Sequence, residues 1–357
     1  MLVKYFVRAF FVVLWSAIIY SFLLLPYLES WFFHDTKYLC IYTWADRIDE
    51  SKLQEFERKT GIKVYVNHYE SNEELLTKLE KMPFVDCDII LPSGYIVESL
   101  AESGLIKKID RSRCNFISRL YPEFINTKFK MRDEYALPLY WDVLGIGFNN
   151  KKIDSSLTTL QTVFDNDSLI KYKIGMIDDA RQSIVLTALY LGYSLDTLSK
   201  EQLKDMRVIL NKQKGWVGAY SDSQQGYYLA SQTFDMVVSE REHICRQMQN
   251  HDFISFALPE QGSLLTVDHV VISSFSTKDD LIYELINYLY SYDVCKYHCE
   301  TFCLLPTCKD VRDSLDQKYV GVQGLVPGSD QFKKLKVFKN ILTSKQINDF
   351  WIKLKAV

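Results

Sequence analysis

Between residues 38 and 104 the hydrophobic pattern alternates between short apolar runs and amphipathic segments, and this alternation restricts the fold most. Tyr38–Tyr42 (YLCIY) reads as a buried strand, and Asp49–Thr60 as a helix stopped by Gly61. Ile62–His68 alternates like a strand and Asn72–Lys81 reads as a helix. Asp88–Leu91 is a short buried strand, and Ile96–Ser103 a helix ended by Gly104. Strand and helix in strict succession predict a parallel sheet covered by helices. Ligands on such sheets bind beyond the carboxyl ends of the strands. The segments of interest are therefore Thr43-Trp44-Ala45-Asp46 and Pro92-Ser93-Gly94-Tyr95.

A second α/β unit comes next. Strands are expected at Leu144–Asn149, Lys173–Ile177, Phe234–Val238 and Thr266–Ser273, with helices at Ala180–Leu191 and Leu281–Tyr290. No repeat or Pro/Gly/Ser linker separates the units, so two lobes in contact are expected. A net charge of −3 gives no basic footprint for nucleic acid.

Ala9 to Leu28 carries no charge and is long enough to span a bilayer, with Lys4 and Arg8 before it. An uncleaved inner-membrane anchor is expected, with the rest outside the cytoplasm; a cleaved signal peptide is the alternative. Export would expose the eight cysteines to oxidants. Cys40 and Cys87 sit in strand-like runs and read as core residues. Cys295, Cys299 and Cys303 recur on one face of a helix, a spacing that suits a buried face better than zinc or disulfides.

Several blocks together carry a family resemblance. Tyr42-Thr43-Trp44, Glu55-Phe56, Thr60-Gly61-Ile62-Lys63-Val64 and Tyr69-Glu70-Ser71-Asn72-Glu73 form the first. Cys87 to Tyr95 (CDIILPSGY) is the second, Ile177-Asp178-Asp179-Ala180-Arg181 the third and Leu305-Pro306-Thr307 the fourth. In this order, from Tyr38 to the C-terminus, the chain resembles the periplasmic polyamine-binding proteins, the spermidine/putrescine receptors of ABC importers. The resemblance implies a two-lobed α/β periplasmic-binding-protein fold of type II, with two chain crossovers and hinge closure on the ligand. The lobes are then residues 35–145 plus 267–314 and residues 146–266 plus 315–357, after an N-terminal segment 1–34. It also implies a periplasmic monomer that hands its ligand to an inner-membrane permease, without cofactor or metal.

A polyamine alternates ammonium groups, which need carboxylates, with methylenes, which need flat walls. The resemblance places Trp44, Ser93, Tyr95, Asp179, Ser221 and Asp268 in the cleft. Asp179 has an alternative reading as a helix cap, and Asp268 as the partner of an internal arginine. The chain also departs from the family pattern. Arg47 stands where an aromatic is usual and Gln182 where a second acid is. Val238, Thr266 and Leu305 replace cleft aromatics. Asp46, Asp142 and Glu240 are placed to restore negative charge. Two alternatives keep the fold: a different small ligand that pairs with Arg47, or a membrane-tethered sensor. An enzyme is not expected, because neither G-x-S-x-G nor HExxH occurs.

Overall fold

The computed structural model describes residues 13–16, 20, 37–81, 86–125, 130–165, 174–337 and 342–355. Most of the expected anchor, 9–28, therefore lies outside the described residues, as does Lys173. Among the described residues no helix is long and apolar enough to cross a membrane.

The first strand group is built as the alternation requires. β1 (Tyr38–Thr43) pairs in parallel with β2 (Lys63–His68) on one side and β3 (Ile89–Ile90) on the other. The crossovers are α1 (Glu50–Thr60) and α2 (Asn72–Lys81). Local chemistry sets the ends of α1. The Asp49 carboxylate accepts the Ser51 amide at 2.8 Å, and Gly61 ends the helix at φ 73°, a left-handed value that glycine adopts without a Cβ penalty. Leu53 and Phe56 are the face that α1 buries. After β3, a 3₁₀ turn at Gly94–Ile96 leads into α3 (Val97–Glu102) and then β4 (Ile106–Lys107).

β5 (Leu137–Asn149) is buried at every position. It leads into the second group: β6 (Ile174–Met176), α4 (Ala180–Leu191), β7 (Val217–Tyr220), β8 (Met236–Glu240), α5 (Arg241–Met248) and β9 (Ile254–Ala257). β6 is parallel to both β7 and β8. The chain returns along β10 (Ser263–Ser273), and α6 (Tyr292–Phe302), β11 (Leu305–Pro306) and β12 (Leu335–Val337) complete the framework.

The sheet is mixed rather than wholly parallel, because β5 and β10 run antiparallel and serve both groups. β10 pairs with β3 and β4 through Val271–Ser273 and with β5 through Leu265–Val270. β5 pairs with β8 and β9 through Leu144–Asn149. Positions 145/146 and 266/267 lie inside these two strands. The sequence expectation of Leu144–Asn149 caught only the second half of β5.

Two details at the join position the site. The β5–β10 register shifts between Asp268 and His269, and such a bulge re-aims the neighbouring side chain. Asp268 pairs with Tyr140 of β5 and also bridges to Ser93, after β3. Gly94 is required here, since a Cβ would lie 2.7 Å from the His269 ring and 3.2 Å from the Val267 carbonyl.

Candidate binding cleft

A cleft of about 660 Å³ opens between the two strand groups. Its walls are the segments that leave the carboxyl ends of the parallel strands. Trp44–Arg47 follow β1, Tyr69–Asn72 follow β2 and Ser93–Tyr95 follow β3. From the other side, Ile177–Asp179 with Arg181 and Gln182 follow β6, Asp222 and Ser223 follow β7, and Glu240, Glu242 and His243 lie at and beyond the end of β8. Leu264–Asp268 of β10 close the floor.

Of the residues singled out in the sequence, Trp44, Asp46, Arg47, Ser93, Tyr95, Asp179, Gln182 and Asp268 line this cleft. Ser221 does not. Its hydroxyl accepts the Gln224 amide at 3.2 Å, so local capping takes it, and the adjacent Asp222 and Ser223 form the wall. Asp142 is also displaced from the expected role. It is buried beneath the cleft, where Arg241 Nε donates to it at 2.7 Å and the Glu242 amide at 2.8 Å. Arg241 further donates to the carbonyls of Tyr319, Val320 and Cys303, so that pair is internally satisfied.

The aromatic wall is partial. Trp44 packs on Tyr69 with ring centroids 4.5 Å apart and planes tilted by 54°. The Tyr95 hydroxyl accepts from Asn72 at 2.7 Å, and the Arg181 guanidinium lies 4.5 Å from the Tyr95 ring centre. Asp179 does both things considered for it. One carboxylate oxygen caps α4 through the Gln182 amide at 2.7 Å, and the residue lines the cleft.

Arg47 resolves the question of Asp268. Its Nε donates to Asp268 Oδ2 at 2.6 Å and its Nη1 to Glu242 Oε1 at 3.0 Å. Beside it, Arg246 Nη1 donates to Asp46 Oδ2 at 2.6 Å. Asp46 has φ 58°, a left-handed conformation that Asp tolerates better than most residues. The Arg47–Glu242 and Asp46–Arg246 pairs both cross from the post-β1 loop to α5.

Charge is distributed unevenly. The lining includes Asp46, Glu70, Asp178, Asp179, Asp222, Glu240, Glu242 and Asp268, against Arg47 and Arg181. Burial opposes the charge on Arg47, but Glu242 and Asp268 more than offset it, so its pKa is raised. Burial raises Asp268 despite Arg47, while for Glu242 the nearby cations outweigh burial and lower it. Glu240 is raised well above the carboxylate range by burial and by Glu242 and Asp142. The hydrogen bond it accepts comes from an uncharged group, Gln182 Nε2 at 3.2 Å. Asp222 is raised to about 6 by desolvation and by Asp179 and Asp178. Lys355 pairs with Asp178 at 2.7 Å.

Glu240, Glu242 and His243 bring potential ligand atoms within 4.8 Å of one another. Glu242 engages Arg47 at 3.0 Å with Arg246 at 3.9 Å, and burial holds His243 below its usual pKa. All eight cysteines are buried free thiols, including Cys295 and Cys299 on α6.

A family model described as bacterial extracellular solute-binding protein matches residues 53–321. The chain belongs to that family. Among its relatives, the spermidine/putrescine-binding periplasmic protein of Escherichia coli is 27% identical over 326 residues, covering 90% of this chain and 92% of that protein. The putrescine-binding periplasmic protein SpuD of Pseudomonas aeruginosa is 22% identical, covering 90% and 93%. The spermidine/putrescine ABC transporter substrate-binding protein of Streptococcus pneumoniae has the same fold, with a TM-score of 0.78 at 24% identity, covering 90% and 99%. As a solute-binding protein, the chain places its cleft where the strand ends of both groups converge. Sequence reasoning missed Glu242, Arg246 and Asp222. The rule that found Trp44 and Ser93, to inspect the segment after each parallel strand, finds Asp222 once β7 is recognised, and finds Glu242 when it is applied to the strand expected at Phe234–Val238.

Proposed function

We propose that this solute-binding protein captures a polyamine in the cleft and delivers it to an ABC permease. The observation that carries the reading is the excess of carboxylates over guanidiniums along a cleft walled by Trp44, Tyr69 and Tyr95. Ammonium groups are held by charge-assisted hydrogen bonds to carboxylates, and aromatic faces accept both methylenes and cations. The relatives named for spermidine and putrescine support the same ligand class. Asp179, Asp222 and Glu240 are the ammonium acceptors, Trp44 and Tyr95 line the methylene path, and Ser93 and Gln182 add polar contacts. Ser221 acts only through the loop that carries Asp222.

Capture proceeds by rotation of two lobes, 35–145 plus 267–314 against 146–266 plus 315–357, about β5 and β10. The chain works as a monomer in the periplasm, and the apolar segment 9–28 tethers it to the inner membrane. Extraction of membranes with carbonate tests the tether: release of the chain without detergent overturns it.

Isothermal titration calorimetry on the full chain tests the ligand, with putrescine, cadaverine, spermidine and a panel of amino acids. Micromolar or tighter binding of an amine, about −8 kcal/mol, is expected. Silence with every amine, or binding of an amino acid alone, overturns the reading.

A further inference from the structure

We propose that Cys245 and Cys303 join as a disulfide that ties α5 to the end of α6. Only the supply of an oxidant rests on the periplasmic placement proposed above. On a helix, side chains four residues apart lie one above the other, so Arg241, Cys245 and Gln249 form one row along α5. Both outer members of the row reach Cys303. Arg241 Nη2 donates to the Cys303 carbonyl, and Gln249 Nε2 donates to the Cys303 thiol at 2.8 Å. Cys245, between them, faces the same residue, and the two thiols hydrogen-bond to each other. Arg246 ties the helices at the next position, its Nε donating to the Phe302 carbonyl at 3.1 Å. Cys303 has φ 57°, a left-handed helix end of the kind that favours glycine. Both cysteines are fully buried, and neither lines the cleft.

The spacing that disfavours disulfides within α6 does not apply, because this partner lies on another helix. The Cys303 thiol and the Arg241 guanidinium hold Cys245 below the usual thiol range against burial, while Cys245 and burial push Cys303 up. Cys245 is therefore the attacking thiolate. It attacks the S–S bond of a small disulfide oxidant, which gives a mixed disulfide and releases one thiol. Cys303 then gives up its proton and attacks Cys245 Sγ, releasing the second thiol. One S–S bond is reduced as one forms, and both protein thiol protons end on the oxidant's sulfurs. The reaction takes place while α5 docks on α6, before packing seals the pair. The bond anchors the helix whose Glu242 and Arg246 hold Arg47 and Asp46 of the post-β1 loop.

The test refolds the reduced full chain with oxidised glutathione, alkylates free thiols with iodoacetamide in denaturant, and maps linked peptides after chymotrypsin digestion. Cleavage after Phe302 and Leu304 separates Cys299, Cys303 and Cys308. Cys245 joined to Cys303 in most molecules is the expected result. This sample is also expected to melt several degrees above one refolded in dithiothreitol. Cys303→Gly, which suits the left-handed backbone, is expected to lose the link and most of that difference. Cys245 and Cys303 both alkylated, or either one linked to another cysteine, overturns the proposal. So does an equal redox difference in Cys303→Gly. The chain isolated from cells without reductant is mapped in parallel. A link present in the refolded sample and absent from the isolated chain overturns the periplasmic placement, and the assignment of the pair stands.

Discussion

The two ends of the cleft handle charge in opposite ways. At the Arg47 end, Asp268 and Glu242 are neutralised by the chain itself, and the bond to Glu242 joins the post-β1 loop to α5. At the Asp222 end, desolvation and the like charges of Asp179 and Asp178 raise the Asp222 pKa to about 6, with Lys355, paired to Asp178, opposing them. One end is arranged for stability and the other leaves a repulsion that an incoming cation relieves. The comparison teaches that an acidic residue in a binding cleft is not by that fact a ligand contact; its partner within the chain decides. It breaks most directly at Glu242. Removing one member of a buried ion pair costs about 3–5 kcal/mol. Asp268 remains to share Arg47, so Glu242→Ala is expected near the lower limit, about 3 kcal/mol in chemical denaturation. A loss below about 1 kcal/mol, the range of an exposed pair, would show that this end is not internally compensated.

The Asp222 end is expected to respond in affinity instead. Asp179→Asn keeps the α4 cap, because Asn caps as well as Asp, and removes only the charge. Asp222→Asn removes its repelling neighbour. Each lost charge-assisted hydrogen bond is worth about 1.5–3 kcal/mol, so the double variant is expected to weaken putrescine binding at least about 100-fold while unfolding as late as wild type. Calorimetry and thermal denaturation on the same preparations separate the two effects. Unchanged affinity, or a stability loss matching that of Glu242→Ala, would erase the distinction between the ends.

The elements legible in the sequence were those with local boundary signals. Ala180–Leu191 lies between the Asp179 cap and Gly192 at φ 70°, and Asn72–Lys81 obeys its apolar spacing. The first half of β5 was not legible, because burial at every position erases the period-two alternation. α5, with the polar sequence REHICRQM, gave no apolar stripe, yet it carries Glu242 and Arg246. The cleft loops of the first group could be read from strand ends alone. The partners of Arg47 could not, since Asp268 and Glu242 lie 221 and 195 residues away. The resemblance located the family's acids but could not say which were already paired within the chain.

The smallest expected effect is a pH dependence centred on Asp222. Asp222 faces Asp178 and Asp179 as like charges and Lys355 as the opposing one. Its folded pKa of about 6 lies above the ordinary 3.8, so between these values the ligand-free fold holds a proton that the unfolded chain releases. This group's contribution to stability is therefore lost as pH rises through that window. His298 works in the opposite sense. Burial lowers it to about 4, so in the fold it stays neutral, accepting the Asp49 amide at 3.2 Å, and its contribution is lost as pH falls from 6.5. The two trends offset each other in the ligand-free melting temperature, which makes the ligand-induced change the informative quantity. Amines remain protonated throughout, and binding one favours ionised Asp222, so capture releases a proton. Putrescine affinity is expected to fall about fourfold from pH 7 to pH 5.5 through this group. Asp222→Asn is expected to lessen that slope, with Glu240, raised by burial and like charge, supplying the remainder. A slope unchanged in Asp222→Asn but absent in Glu242→Gln would move the uncompensated charge to the Arg47 end and reverse the comparison.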